Sequence, residues 1–184
     1  MRMKKRTIRN ITLTAVFAAV LCIAAPFPIP IGPIPITLSL FAVFLCGAVL
    51  PPPYAVSATL VYLVLGVIGL PVFSGFEGGI GKFVGPTGGF LWAYPFMALV
   101  IALSVKLFKK RGLFSLSAGI LAATLICYTM GTLWFSHLTG NPLDASLSVC
   151  VLPFIPADLI KGAAAVAVTI GLDKTGILKD GAGK

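Results

Sequence analysis

The chain has 184 residues, 58% of them hydrophobic and only 10% charged, with a mean hydropathy of +1.05. That balance excludes a soluble globular domain, and apolar runs this long, with so little alternation, exclude barrel strands. An all-α integral membrane protein is expected, because in lipid only helices or closed barrels satisfy their backbone polar groups. The net charge of +9 would suit a nucleic-acid partner in a soluble protein, yet 12 of the 14 Lys and Arg residues fall in 2–9, 106–111 and 174–184. Such clusters orient a protein in the lipid bilayer, and no nucleic acid is expected as a partner.

Taken in chain order, a basic start leads directly into an apolar span over 8–25, without a small-residue cleavage site, so no cleavable leader is expected. The segment Phe27-Pro-Ile-Pro-Ile-Gly-Pro-Ile-Pro35 follows and cannot be helical, because prolines alternate through it. A second span covers 37–50 and stops at Pro51-Pro52-Pro53; a third covers 54–70. The second is short for a hydrocarbon core of about 30 Å. A Gly-rich stretch, 71–89, is too polar to cross. The remaining spans are predicted at 90–108, 113–135 and 147–172. Six spans put both termini on one side. With the amino terminus inside, all the clustered basic residues are cytoplasmic and Lys82 alone is external, as the positive-inside rule requires. The expectation is a single domain over 1–184. It is a bundle of six transmembrane helices in the cell membrane, with cytoplasmic termini and an external Gly-rich loop between helices 3 and 4.

Few residues carry chemistry. The four cysteines fall in apolar spans with no CxxC pair and His137 is the single histidine, so no metal site is expected. Gly78-Gly-Ile-Gly-Lys-Phe83 fails as a phosphate-binding loop, because Phe76 and Phe83 stand where that loop needs Gly and Ser or Thr. Ser136 and His137 are helical neighbours that point in different directions, which argues against a nucleophile–base pair. No enzyme is expected and no catalytic residue is assigned. Outside the cytoplasmic segments the charges are Glu77, Lys82, Asp144, Asp158 and Lys161. Asp158 and Lys161 are the only charges in the last apolar run and, three apart, share a helix face. A charge at the centre of a membrane helix costs roughly 2.5–3.5 kcal/mol, so such residues are functional candidates. Glu77, Lys82, Asp158 and Lys161 are expected to converge on one outward-facing cavity. Seven glycines within 75–89 let backbone approach a ligand, and Phe73, Phe76, Phe83 and Phe90 supply apolar lining. A small, partly apolar, anionic ligand fits such a site.

Four runs carry a resemblance: Gly69-Leu-Pro-Val-Phe73, Gly78-Gly-Ile-Gly81, Gly85-Pro-Thr-Gly-Gly-Phe90 and Pro153-Phe-Ile-Pro-Ala-Asp-Leu-Ile-Lys161. Together they resemble the BioY family, the biotin-binding S components of energy-coupling factor (ECF) transporters, over essentially the whole chain. The resemblance implies biotin uptake: capture of the vitamin outside and delivery inward with an ECF transmembrane coupling subunit and two ATP-binding subunits. It implies no cofactor; the ligand is biotin. Asp158, Lys161, Glu77, Lys82, Phe73, Gly79 and Thr87 are the implied substrate-binding residues. Asp158 is suited to accept from a ureido N–H, and Lys161 to meet the ureido oxygen or the carboxylate. Ala15 and Ala19, in Ala15-Val-Phe-Ala-Ala19, resemble the small-residue face that S components turn to the coupling subunit. Glu77 and Leu91 depart from the amide and arginine that the family often carries nearby, and Lys82 is the available positive charge. The alternatives are a stand-alone proton-coupled carrier or channel with Asp158 titrating, and an intramembrane enzyme. The first lacks repeats with matching broken helices, the second a nucleophile–base pair.

Overall fold

The structure, a computed structural model, describes residues 2–29, 34–176 and 178. Eight helices and no strand occur among these residues: α1 (Arg2–Ala24), α2 (Ser39–Val49), α3 (Pro52–Val67), α4 (Ile80–Val84), α5 (Gly88–Phe108), α6 (Leu113–Thr139), α7 (Leu143–Cys150) and α8 (Ile155–Lys174). Four of them, α1, α5, α6 and α8, are long and apolar enough to cross a membrane, while α2 and α3 are shorter apolar helices.

Proline and glycine punctuate the bundle. Pro52 and Pro53 open α3, where a fixed φ suits the first helical turn and no intrahelical N–H is lost. At the end of α6, Gly140 adopts φ 71° and donates its N–H to the Ser136 carbonyl, a left-handed stop.

The 11-residue α2 has a simple reason to be short. Eight of its residues are buried, among them Ala42, Val43, Phe44 and Cys46, so protein rather than lipid surrounds it. A helix enclosed in this way does not have to match the hydrocarbon thickness. Contact with α5 is close at Gly47, where an added Cβ would lie 2.8 Å from the Ile101 Cβ and 2.9 Å from the Ala98 carbonyl. By contrast, α1 is peripheral: Ala18 is buried while Ala15 and Ala19 are exposed.

Two regions differ from the expectation. The last apolar run, predicted as one span over 147–172, is two helices, α7 and α8, separated by a turn at 151–154. Pro153 explains the break, since it removes an N–H and disfavours helical geometry at the residue before it, while Pro156 sits in the first turn of α8, where its missing N–H costs no intrahelical bond. The Gly-rich stretch holds the five-residue α4 and an antiparallel bridge between Phe73 and Glu77. The Pro-rich segment is non-helical where it is described, and Ile29 and Ile36 pair across it; its residues 30–33 lie outside the described part, as does most of the basic tail.

Arg111 adds a tie that charge counting does not reveal. It is 9% exposed; Nε donates to the Ala48 carbonyl at 3.1 Å and Nη2 to the Val49 carbonyl at 3.0 Å. Nη1 faces the Leu178 carbonyl at 3.4 Å and Asp173 at 3.7 Å. Burial lowers the Arg111 guanidinium from its ordinary value and Asp173 opposes the shift; a guanidinium stays charged in proteins regardless. One cation thus binds the carbonyls ending α2, the α5–α6 turn and the end of α8.

Candidate ligand site

The turn that splits the last apolar run places Asp158 in the first turn of α8. There the helix dipole and free N–H groups favour a carboxylate, and the Asp158 N–H donates to the Phe154 carbonyl at 2.8 Å. Asp158 is 5% exposed, and both of its oxygens are engaged. Lys161 Nζ donates to Oδ1 at 2.9 Å and Tyr128 Oη, from α6, donates to Oδ2 at 2.9 Å. The carboxylate is therefore neutralised by Lys161 and steered by Tyr128, and its remaining lone pairs are free to accept.

This trio lies at one side of a cavity whose unfilled space, counting its open mouth, is about 670 Å³. Phe73, Phe90, Leu91, Phe154, Leu40 and Ile34 form apolar walls. Thr37 and Tyr94 add hydroxyls, and Ser74, Lys82 and Thr87 come from the Gly-rich stretch and its exit into α5. The wall is precisely seated at Phe73, which is fully buried edge-on to Tyr62 with ring centres 5.6 Å apart. Its ring fills the space that a side chain at Gly66 would need. Beyond it, Tyr62 stacks on Tyr94 at 6.2 Å.

Five of the seven substrate-binding expectations thus line one cavity: Asp158, Lys161, Lys82, Phe73 and Thr87. Glu77 and Gly79 are not among its lining residues. Glu77 is exposed and pairs with Lys82 at 3.0 Å, and its carbonyl accepts from the Phe73 N–H at 2.9 Å. Gly79, at φ 90°, donates its N–H to the Gly66 carbonyl at 2.7 Å. Both residues hold the loop that carries Phe73 and Lys82. A further anchor is Trp134, whose indole N–H donates to the Gly85 carbonyl at 2.9 Å while its ring packs on Trp92.

Sequence reasoning missed Tyr128, Tyr94, Ser39 and Thr37. The available signal was a tyrosine inside an apolar span, since a buried phenol usually finds a partner. Chemically, the cavity offers an acceptor, two kinds of donor and aromatic walls, while His137 is not among its lining residues. Such a set binds a ligand and does not build a nucleophile–base pair.

The BioY family profile matches residues 1–176. The chain belongs to the BioY family. Among curated relatives, the probable biotin transporter BioY of Pyrococcus horikoshii is 37% identical over 160 residues, covering 87% of this chain and 93% of that one. The biotin transporter BioY of Thermotoga maritima is 36% identical over 166 residues, covering 90% and 96%. A crystal structure of the S-component for biotin from an ECF-type ABC transporter superimposes with a TM-score of 0.86 at 31% identity, covering 92% of this chain and 93% of that one. Membership of the BioY family makes this chain a multi-pass membrane transporter component rather than an enzyme.

Proposed function

We propose that this chain captures biotin from outside the cell and hands it inward as the S component of an ECF transporter. The observation that carries the reading is the Asp158 carboxylate, held between Tyr128 and Lys161 in a largely apolar cavity of a BioY-family chain. Biotin pairs a ureido group, rich in N–H, with an apolar thioether ring and a carboxylate tail. A second carboxylate beside Asp158 would be repelled, so the neutral ureido group belongs at Asp158. The tail then points to Lys82 at the loop side, where the Glu77 partner is easily exchanged because that pair is partly exposed.

In this reading α1, α2, α3, α5, α6 and α8 make six crossings in the cell membrane, with both termini cytoplasmic, and 1–184 act as one domain. Support comes from two opposite ends of the bundle. The loops and helix starts that line the cavity gather at one end, and Arg111 ties α2, α8 and the basic turn at the other. Basic residues belong on the cytoplasmic side, which leaves the cavity facing outward. The exposed Ala15 and Ala19 on α1 give a coupling subunit room for close helix approach, and that subunit, with two ATP-binding subunits, supplies the energy.

Titration calorimetry of the detergent-solubilised chain with biotin, without ATP, tests the assignment. Stoichiometric binding is expected. Absence of heat with biotin, alongside heat with another vitamin, would overturn it.

A further inference from the structure

Three hydroxyls meet beneath the cavity. Ser39 Oγ lies 2.5 Å from Thr37 Oγ1 and 2.6 Å from Tyr94 Oη. Ser39 is buried and is not among the cavity-lining residues, whereas Thr37 and Tyr94 both line the cavity. Each hydroxyl brings one proton and can accept as well as donate. Three protons serve these two links; unless both neighbours donate to Ser39 and strand its own buried O–H, the spare O–H falls at one end of the chain. When Thr37 donates to Ser39 and Ser39 to Tyr94, the spare O–H is on Tyr94 and Thr37 keeps free lone pairs. When the chain runs the other way, the spare O–H is on Thr37. Asp158 lines the same cavity as Tyr94 and Thr37. A negative neighbour attracts a hydrogen and favours the direction that leaves the Tyr94 O–H free.

We propose that Tyr94, set by Ser39, donates this spare hydrogen to the ureido carbonyl oxygen of biotin while Asp158 accepts from the adjoining ureido N–H. The assignment rests on the biotin reading above and adds to it a hydrogen-bond donor and a positioning residue. A cyclic urea presents a carbonyl acceptor directly beside two N–H donors. A free O–H from α5 and a carboxylate from α8, both lining one cavity, match that pattern. Tyr128 is not available for this role because its one hydrogen already goes to Asp158, whereas Lys161 gives Asp158 one of its three N–H groups and keeps two for the ligand. Ser39 is a positioning residue: with its own side chain out of the cavity, it acts by fixing the direction of the chain.

The test pairs protein variants with a ligand changed at the same atom. In 2-thiobiotin a sulfur, a weak acceptor, replaces the ureido oxygen and both N–H groups stay. Calorimetry on the full chain compares biotin with 2-thiobiotin for wild type, Tyr94→Phe and Ser39→Ala. Wild type is expected to prefer biotin by about 10-fold, in line with a buried hydrogen bond. Tyr94→Phe keeps the ring stack on Tyr62 and is expected to lose most of that preference by weakening biotin alone. Ser39→Ala leaves the Tyr94 ring untouched and is expected to narrow the preference part-way, which keeps the test open if Tyr94→Phe does not fold. Equal weakening of both ligands, or an unchanged preference in the variants, overturns the Tyr94 assignment while biotin binding stands. A wild-type chain that binds neither ligand removes the biotin reading and this inference with it.

Discussion

Phe27 and Phe76 meet edge to face with ring centres 5.2 Å apart, and so join the Pro-rich segment to the Gly-rich one. The neighbouring Gly75 N–H donates to the Pro26 carbonyl at 3.0 Å, making a second link between the same segments. Both segments also contribute to the cavity, through Ile34 and Pro35 on one side and Phe73 and Ser74 on the other. The two rings are more than half exposed, so their contact does little for the core.

Removing one ring should therefore act on ligand exit rather than on folding. An aromatic pair is worth about 0.5–1.5 kcal/mol, so Phe76→Ala is expected to speed biotin release by about 2- to 10-fold with an unchanged melting temperature. Phe76 also holds φ 58°, a left-handed conformation that a side chain disfavours. Phe76→Gly should show the same faster release with equal or better stability. A chase of labelled biotin reads the rate; an unchanged rate would refute the link.

Asp158 and Lys161 are expected to be ligand groups. Asp158→Asn and Lys161→Met should each weaken biotin binding by at least about 1.5–3 kcal/mol, the value of a charge-assisted hydrogen bond. Tyr128→Phe releases only one of the bonds to Asp158 and should cost less, about 0.5–1.5 kcal/mol. The double variant at Asp158 and Lys161 should bind no better than either single. Near-native affinity in the double variant, measured by calorimetry, would mean that the pair only balances itself.

Ala15 and Ala19 are exposed on α1, away from the cavity. Ala19→Trp should keep biotin binding and lose ATP-dependent uptake, because a bulky ring blocks close helix approach. Comparing binding in detergent with uptake in cells separates the two effects. Loss of binding in an intact assembly would reverse the claim.

Arg111 should matter for stability and not for affinity. Replacing it with Met leaves the Ala48 and Val49 carbonyls without their donor and Asp173 without its cation. Breaking a buried charged contact of this kind costs about 3–5 kcal/mol. Arg111→Lys should recover little, since one ammonium cannot reproduce the fork that reaches two carbonyls. Thermal unfolding checks both variants.

The long apolar helices were legible in the sequence because hydropathy averages over many residues, and α5 and α6 start within two residues of where the apolar runs place them. The break at 151–154 was not, since an apolar turn and an apolar helix have the same hydropathy. Proline was the clue there, and Pro153 and Pro156 sit on either side of the start of α8. Charges inside apolar runs pointed to Asp158 and Lys161 because they are scarce and costly. Ser39 carries no flag, and Tyr128 and Tyr94 carry only the weaker one of a phenol in an apolar span: a hydroxyl in a membrane helix reads as packing until its partner on another helix is known. Arg111 was read with its basic neighbours, and only the α2 carbonyls beside it separate it from them. Glu77 and Lys82 were both expected in the cavity, yet only Lys82 lines it, with Glu77 paired to it from outside.

The turn before α8 also governs where the chain tolerates a change of length. Each residue added within a helix rotates everything beyond it by about 100°. An insertion between Asp158 and Lys161 leaves that pair within reach, since residues four apart also share a helix face, but it turns the rest of α8 and moves Asp173 off Arg111. An insertion at 140–142, in the connection ahead of α7, leaves the whole of α8 in phase, because that loop and the turn at 151–154 absorb it. Drift in length is thus confined to the connections, and the α8 register from Asp158 to Asp173 is fixed by the contact with Arg111.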